Sequence, residues 1–479
     1  MKRYFLILLI FISHFNNQAL AEEKLDHNKL ANEFIAALNS KNLKQVEAFV
    51  VKNFSPDALN RWGGTGKNRY VGYSMNTALF HGELSVRSTE LDESNNRIRH
   101  ITKVYSKNTD MPYEVNIYFN DQQSQAITGW SLGEVPLNSD VKTSLTESQF
   151  VAEVKAYSEK LANNGIFSGT ILLAKGENVL FSAAHGLASL RYDVKNNLNT
   201  KFQIGSMNKM FTSVAVLQLV ETGRISLNDS LTKFINRDLL GKGDFEKIKI
   251  HHLLSHTSGI DGLTGYDEIQ NKVRSLDDIQ HLYNTIETTF EPGSQWRYSN
   301  TGMMILGQVI ENVTGKSYFE YINEHVYQKV NMQQSGSFDL DLPIKNTARN
   351  YWFSVETGQV TENLMFQSVK GGPAGGGYST VGDLHKFAIA MQTAKLLNKR
   401  LSKEALTAKP QLSSPGYGYG FSVRGSEGNQ IVGHNGAHLG VTARLNMYQD
   451  KGYILVVLGN YQSSAWPIVT KVNQLIEQL

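Results

Sequence analysis

The 479-residue chain contains no cysteine. That excludes disulfides, thiol catalysis, a lipid-modified N-terminal cysteine and cysteine-based zinc sites. It also lacks a charge imbalance: the formal net charge is +3, and +1 once Lys2 and Arg3 are set aside. A near-neutral chain has no electrostatic case for binding nucleic acid or an anionic membrane surface. No apolar run reaches the roughly 20 residues that a membrane-spanning helix needs. The run Tyr4–Ile12 follows two basic residues and precedes Ala19-Leu20-Ala21. Those are the parts of a cleavable secretory signal peptide, residues 1–21, with the mature chain starting at Glu22. The expected location is therefore periplasmic or secreted, and without disulfides such a protein depends on its core. The histidines show no metal-ligand spacing, so neither a zinc site nor another cofactor is expected. Repeats and low-complexity segments are absent too.

What the chain does have is length and a globular composition: 41% hydrophobic, 19% charged and 10% aromatic residues. Two or three domains are expected. Residues 22–138 read as a small α+β unit. Helical spacing at 25–38 and 43–54 is followed by a turn-rich patch, RWGGTGKNRYVGY, and by strands at 97–106, 113–121 and 124–135. Val115, Ile117 and Phe119 alternate with polar residues, as in a half-buried strand. Residues 139–147 are a polar linker. From 148 on, an amphipathic helix, a hairpin turning at Gly176-Glu177-Asn178, a helical stretch, two late strands and a terminal helix predict an antiparallel sheet with helices packed on it.

One helix stands out. FQIGSMNKMFTSVAVLQLVETG (Phe202–Gly223) is apolar nearly all round, so it is buried, and it carries Ser206 and Lys209 at its mouth. Positions i and i+3 share a helix face, which sets an amine beside a hydroxyl as candidate base and nucleophile. The spacing alone is weak, because Ser139/Lys142 and Ser230/Lys233 repeat it. A helix cap plus a solvated lysine accounts for any single copy. Tyr-x-Asn likewise occurs three times, at Tyr118/Asn120, Tyr298/Asn300 and Tyr321/Asn323; only the middle one opens an apolar helix from a loop. His434-Asn435-Gly436 and His438-Leu439-Gly440 compete for a third element near the strand VTARLNMY.

Taken together and in order, FQIGSMNKMFT, RYSNTGMMILG and VGHNGAHLG resemble the serine β-lactamase and penicillin-recognising hydrolase superfamily, in the branch of class C β-lactamases, DD-peptidases and related esterases. HHLLSHTSGI and GGPAGGGYSTVGDLHKFA look familial as well, and the resemblance runs from about Phe150 to the C-terminus. It implies an α+β fold: an antiparallel sheet with flanking helices and an all-helical insert, over residues 148–479. The N-terminal unit resembles the NTF2-like accessory domains, which bind small ligands or mediate dimers. The resemblance makes Ser206 the acylated nucleophile and Lys209 and Tyr298 its proton carriers, with the base left open between them. Asn300, His434 and Gly436 become substrate-binding residues, and the backbone N–H groups of Ser206 and Ala437 the oxyanion hole. His256 is read as structural, shaping the cleft wall.

The third element departs from the family's Lys-Thr-Gly. A histidine, mostly neutral near pH 7, replaces a fixed cation suited to a substrate carboxylate. Ester, amide or D-amino-acid peptide hydrolysis is therefore expected ahead of efficient β-lactam hydrolysis. Two other readings stay open: a penicillin-binding or sensor module that is acylated but turns over slowly, and a non-catalytic scaffold that binds ligands. The partner in each case is a small molecule or peptide.

Overall fold

The computed structural model describes residues 26–61, 64–93, 98–120, 126–135, 144–364, 367–426 and 428–479. The expected signal peptide, residues 1–21, and most of the expected linker lie outside these residues. Among the described residues no helix is long and apolar enough to cross a membrane.

The N-terminal unit opens with four helices, α1 (His27–Ser40), α2 (Leu43–Asn53), α3 (Pro56–Asn60) and α4 (Gly66–His81). Four strands follow, β1 (Leu84–Asp92), β2 (Ile98–Ser106), β3 (Met111–Phe119) and β4 (Ile127–Glu134), in an antiparallel sheet of that order. Asp26, Asn42 and Ser55 cap α1, α2 and α3 by accepting backbone N–H bonds. The patch expected to be turn-rich is largely helix α4. Its Gly66 touches α3 so closely that a Cβ there would sit 2.2 Å from the Ala58 carbonyl oxygen. Glycine serves this contact, and the buried face of Tyr70, Val71, Met75 and Ala78 holds the helix down.

Helix α5 (Glu147–Asn163) begins the second unit behind a capping box of Thr146 and Gln149. Next come β5 (Gly169–Lys175) and β6 (Asn178–His185), then α6 (Asn208–Glu221), α7 (Ile250–Leu254) and α8 (Asn300–Thr314). A hairpin, β7 (Tyr351–Ser354) and β8 (Gln359–Glu362), precedes helix α9 (Val381–Gln392). The chain closes with β9 (Ser422–Arg424), β10 (Ile431–His438), β11 (Val441–Tyr448), β12 (Tyr453–Gly459) and α10 (Trp466–Ile476). One six-stranded antiparallel sheet results, in the order β9-β10-β11-β12-β5-β6.

Strand β12 is a continuous apolar run from Tyr453 to Leu458, buried throughout because both faces of the sheet are covered there. Leu172, Ile454, Val456 and Leu458 pack with α6 and the helical insert. Their neighbours Ile171, Leu173, Leu455 and Val457 face Phe150 and Val154 of α5 and Ile468 and Val472 of α10. The strand period of two divides one run of residues between two cores. The second core continues into the N-terminal unit, reaching Phe34, Val50 and Trp130.

Candidate active site

Ser206 sits in a single 3-10 turn, Gly205–Met207, that leads directly into α6. Gly205 has φ +52°, a left-handed conformation that glycine adopts without strain. Lys209 is the second residue of α6 and is completely buried. Its Nζ lies 3.2 Å from Ser206 Oγ and donates to Asn300 Oδ1 at 2.8 Å and to the Ala374 carbonyl. Among the described residues no carboxylate pairs with it, and desolvation pushes its pKa well below the ordinary lysine value.

Asn300 is free for this contact because Ser299, not Asn300, caps α8, accepting the Gly302 N–H at 3.0 Å. The preceding residue, Tyr298, lies beside Ser206 with its ring centroid 4.7 Å from Lys209 Nζ. Although 38% of its surface is exposed, the surrounding walls disfavour the phenolate and push its pKa up to about 12.

The glycine-rich loop at 371–377 is seated on one face of α6. Asn208 Nδ2 donates to the Gly372 carbonyl at 3.0 Å and Thr212 Oγ1 to the Pro373 carbonyl at 2.8 Å, on either side of the Lys209–Ala374 bond. The sequence singled out this loop but gave it no role. Its contribution is a carbonyl oxygen, which no side-chain pattern announces.

The third element, expected at the entry to the strand VTARLNMY, is part of strand β10, which precedes it. Its glycine lets two backbones meet: a Cβ on Gly436 would fall 1.8 Å from the Ile204 carbonyl oxygen. A Cβ on Gly205 would lie 3.0 Å from the Ala437 nitrogen, so the Ser206 turn and the end of β10 are adjacent. Ser206 and Ala437 line one cleft of about 540 Å³, with Gln203, Tyr266, Tyr298, Asn300 and His438.

His434 requires correction. Its imidazole is only 2% exposed and does not line the cleft. Nδ1 lies 2.6 Å from the Asn435 carbonyl, which can only accept, so Nδ1 carries the proton. Nε2 then accepts from the Tyr417 hydroxyl at 2.8 Å. Both ring nitrogens are engaged inside the wall, and burial, with Lys209 nearby, lowers the pKa to about 3. The histidine that does reach the cleft is His438, the competing candidate, four residues along the same strand. The other repeated spacings fall elsewhere. Ser230 caps a short 3-10 turn, with Lys233 paired to Asp229; Tyr118 bonds Ser131, and Tyr321 is buried in a helix of its own. Ser139 and Lys142 lie outside the described residues.

A buried lysine amine against a serine hydroxyl, a phenol beside both, and two converging backbone segments make up the working parts of an acyl-transfer site. The chain matches the Beta-lactamase family model over residues 153–471 and belongs to that family of serine hydrolases. It is 26% identical over 321 residues to penicillin-binding protein 4* of Bacillus subtilis (strain 168), covering 63% of this chain and 70% of that protein. Against protein flp of Staphylococcus aureus (strain MW2) it is 32% identical over 193 residues, 40% of this chain but only 39% of flp. Among solved structures, the penicillin-binding protein from Bacillus halodurans superposes with a TM-score of 0.60 at 30% identity, covering 68% of this chain and 98% of that one.

Proposed function

We propose that this protein is an exported serine hydrolase that forms a covalent acyl-enzyme on Ser206 and hydrolyses an ester or amide. The carrying observation is the hydrogen-bond count at Lys209. Asn300 Oδ1 and the Ala374 carbonyl only accept, so each takes one N–H of the amine. Burial holds the amine in its neutral form, which has two such hydrogens and one lone pair, so the lone pair is left facing Ser206 Oγ. Lys209 is thereby assigned as general base, and Tyr298, whose pKa of about 12 keeps it a phenol, as proton donor.

In the reaction the Ser206 oxygen bonds to the substrate carbonyl carbon while its proton passes to Lys209. The oxyanion lies against the backbone N–H groups of Ser206 and Ala437. As the tetrahedral intermediate collapses, the carbon–leaving-group bond breaks and the departing oxygen or nitrogen takes the Tyr298 proton. The Lys209 ammonium returns a proton to Tyr298. Water then attacks the acyl-enzyme ester and gives its proton to Lys209; as the carbon–Oγ bond breaks, the Ser206 oxygen takes that proton back from the ammonium, restoring hydroxyl and amine.

The cleft favours neutral or cationic substrates over anionic ones. Asp261, Asp267 and Glu268 line it, and no lysine or arginine is among its described lining residues. The side chain at the family's lysine position is a neutral, enclosed histidine. These features support esterase or D-amino-acid amidase and peptidase activity ahead of β-lactam hydrolysis. A panel of p-nitrophenyl esters, nitrocefin and D-Ala-D-Ala peptides against the mature protein tests this. Ester turnover well above nitrocefin turnover is expected; nitrocefin as the best substrate contradicts the reading.

A further inference from the structure

The residue numbered 256 does more than shape the wall. His256 is fully buried and holds φ +60°, a left-handed conformation uncommon for any residue but glycine. That twist turns two of its acceptors toward the same short segment. Its backbone carbonyl accepts the Arg297 N–H at 2.9 Å, and its ring Nδ1 accepts the Ser299 N–H at 3.3 Å. Residues 297 and 299 are the two neighbours of Tyr298. The imidazole also packs against the Tyr298 ring at 4.5 Å between centroids and against Tyr417 at 4.7 Å on its way to the His434 pair.

We infer that His256 is a positioning residue for Tyr298: it grips the backbone on both sides of the tyrosine and fixes the ring plane, so that the phenol proton is delivered to the leaving group. This rests on the proton-donor role given to Tyr298 above. The grip works only while the ring is neutral, because an accepting Nδ1 cannot carry a proton. Burial, followed by the nearby Lys209 and His434, holds the histidine in that form. The charged groups on the neighbouring segments are Arg297 and Asp261, which are bonded to each other; of the two only Asp261 lines the cleft.

A lost grip has a chemical signature that a general loss of stability does not. A p-nitrophenolate leaves readily without a proton, whereas an amide nitrogen must be protonated to leave. The experiment compares a p-nitrophenyl ester and a p-nitroanilide of one acyl group, using the full mature chain. His256→Leu, which keeps bulk but accepts no hydrogen bond, is expected to lose at least about tenfold more kcat on the anilide than on the ester, with KM little changed. His256→Asn keeps an acceptor near the Nδ1 position and tolerates positive φ, so it is expected to restore the wild-type ratio. A folded His256→Leu with an unchanged anilide-to-ester ratio overturns the inference. If the leucine variant does not fold, a His256→Asn protein that folds and still loses the ratio overturns it. Failure of the underlying reading is separable. A Tyr298→Phe protein with no selective loss on the anilide removes the donor role itself, whatever happens at His256.

Discussion

In the proposed mechanism Lys209 is the base, and its state follows from what surrounds it. A buried ammonium with no carboxylate partner is costly, and the protein avoids that cost by lowering the pKa rather than by pairing the charge. Activity that needs the free amine must fall as pH drops through this lowered pKa, since protonation fills the lone pair facing Ser206. It must not fall on the alkaline side until Tyr298 ionises, near 12. The expected kcat/KM profile thus has a single acid limb and a plateau across the alkaline range in which the protein stays folded. An ordinary bell centred near neutrality contradicts the assignment of base and donor.

At this scale the sequence was only partly legible. Ser206 and Lys209 were visible as a spacing, but two further copies of it existed, and only burial separated them. Asn300 was legible as a motif that orients either a substrate amide or the lysine; its bond to Lys209 depends on Ser299 taking the cap. His434 was misassigned to the substrate since no local pattern reveals Tyr417, seventeen residues away in sequence, closing over its Nε2. The Ala374 carbonyl and the His256 grip involve backbone atoms, which leave no mark on composition.

Among the elements, strand β10 shows most plainly how packing makes the site. Its end must lie against the Ser206 turn for two N–H groups to converge, and only a residue without a side chain permits that at position 436. Gly436→Ala places a methyl 1.8 Å from the Ile204 carbonyl oxygen, so the strand and the turn must separate. Loss of one oxyanion donor costs about 10²–10³ in rate. The same order of loss in Ser206 acylation is expected for this variant, measured as the labelling rate by a fluorophosphonate. A variant acylated at the wild-type rate shows that the β10 backbone does not serve the oxyanion.

Helix α4 shows the limit of reading elements from local preference. Its glycines argued for turns, and each costs a helix about 1 kcal/mol. Burying a side chain such as Tyr70 or Met75 returns roughly 1.5–3 kcal/mol, so tertiary contact decides the outcome. By contrast, β5, β6, β11, β12 and α6 carry strong and unambiguous patterns and lie where the sequence indicated.

Across the whole molecule, the N-terminal unit is joined to the hydrolase unit through side chains that sequence could not pair. Asn76 of α4 accepts the Phe353 N–H of β7 at 3.1 Å, and the Tyr157 hydroxyl of α5 donates to the Thr109 carbonyl at 2.6 Å. Asn350, immediately before the β7–β8 hairpin, in turn donates to the cleft residue Gln203 at 3.1 Å. The family architecture was legible from three ordered motifs, while these joins depend on contacts between residues far apart in the chain. On the proposed function the whole arrangement serves acylation of one hydroxyl, that of Ser206. The direct test is mass spectrometry of the mature protein after reaction with a fluorophosphonate and, separately, a fluorescent penicillin, with the adduct mapped by proteolysis. The account predicts a single phosphonyl adduct on the peptide carrying Ser206, and no adduct in Ser206→Ala. An adduct on another residue, or labelling that survives in Ser206→Ala, contradicts it.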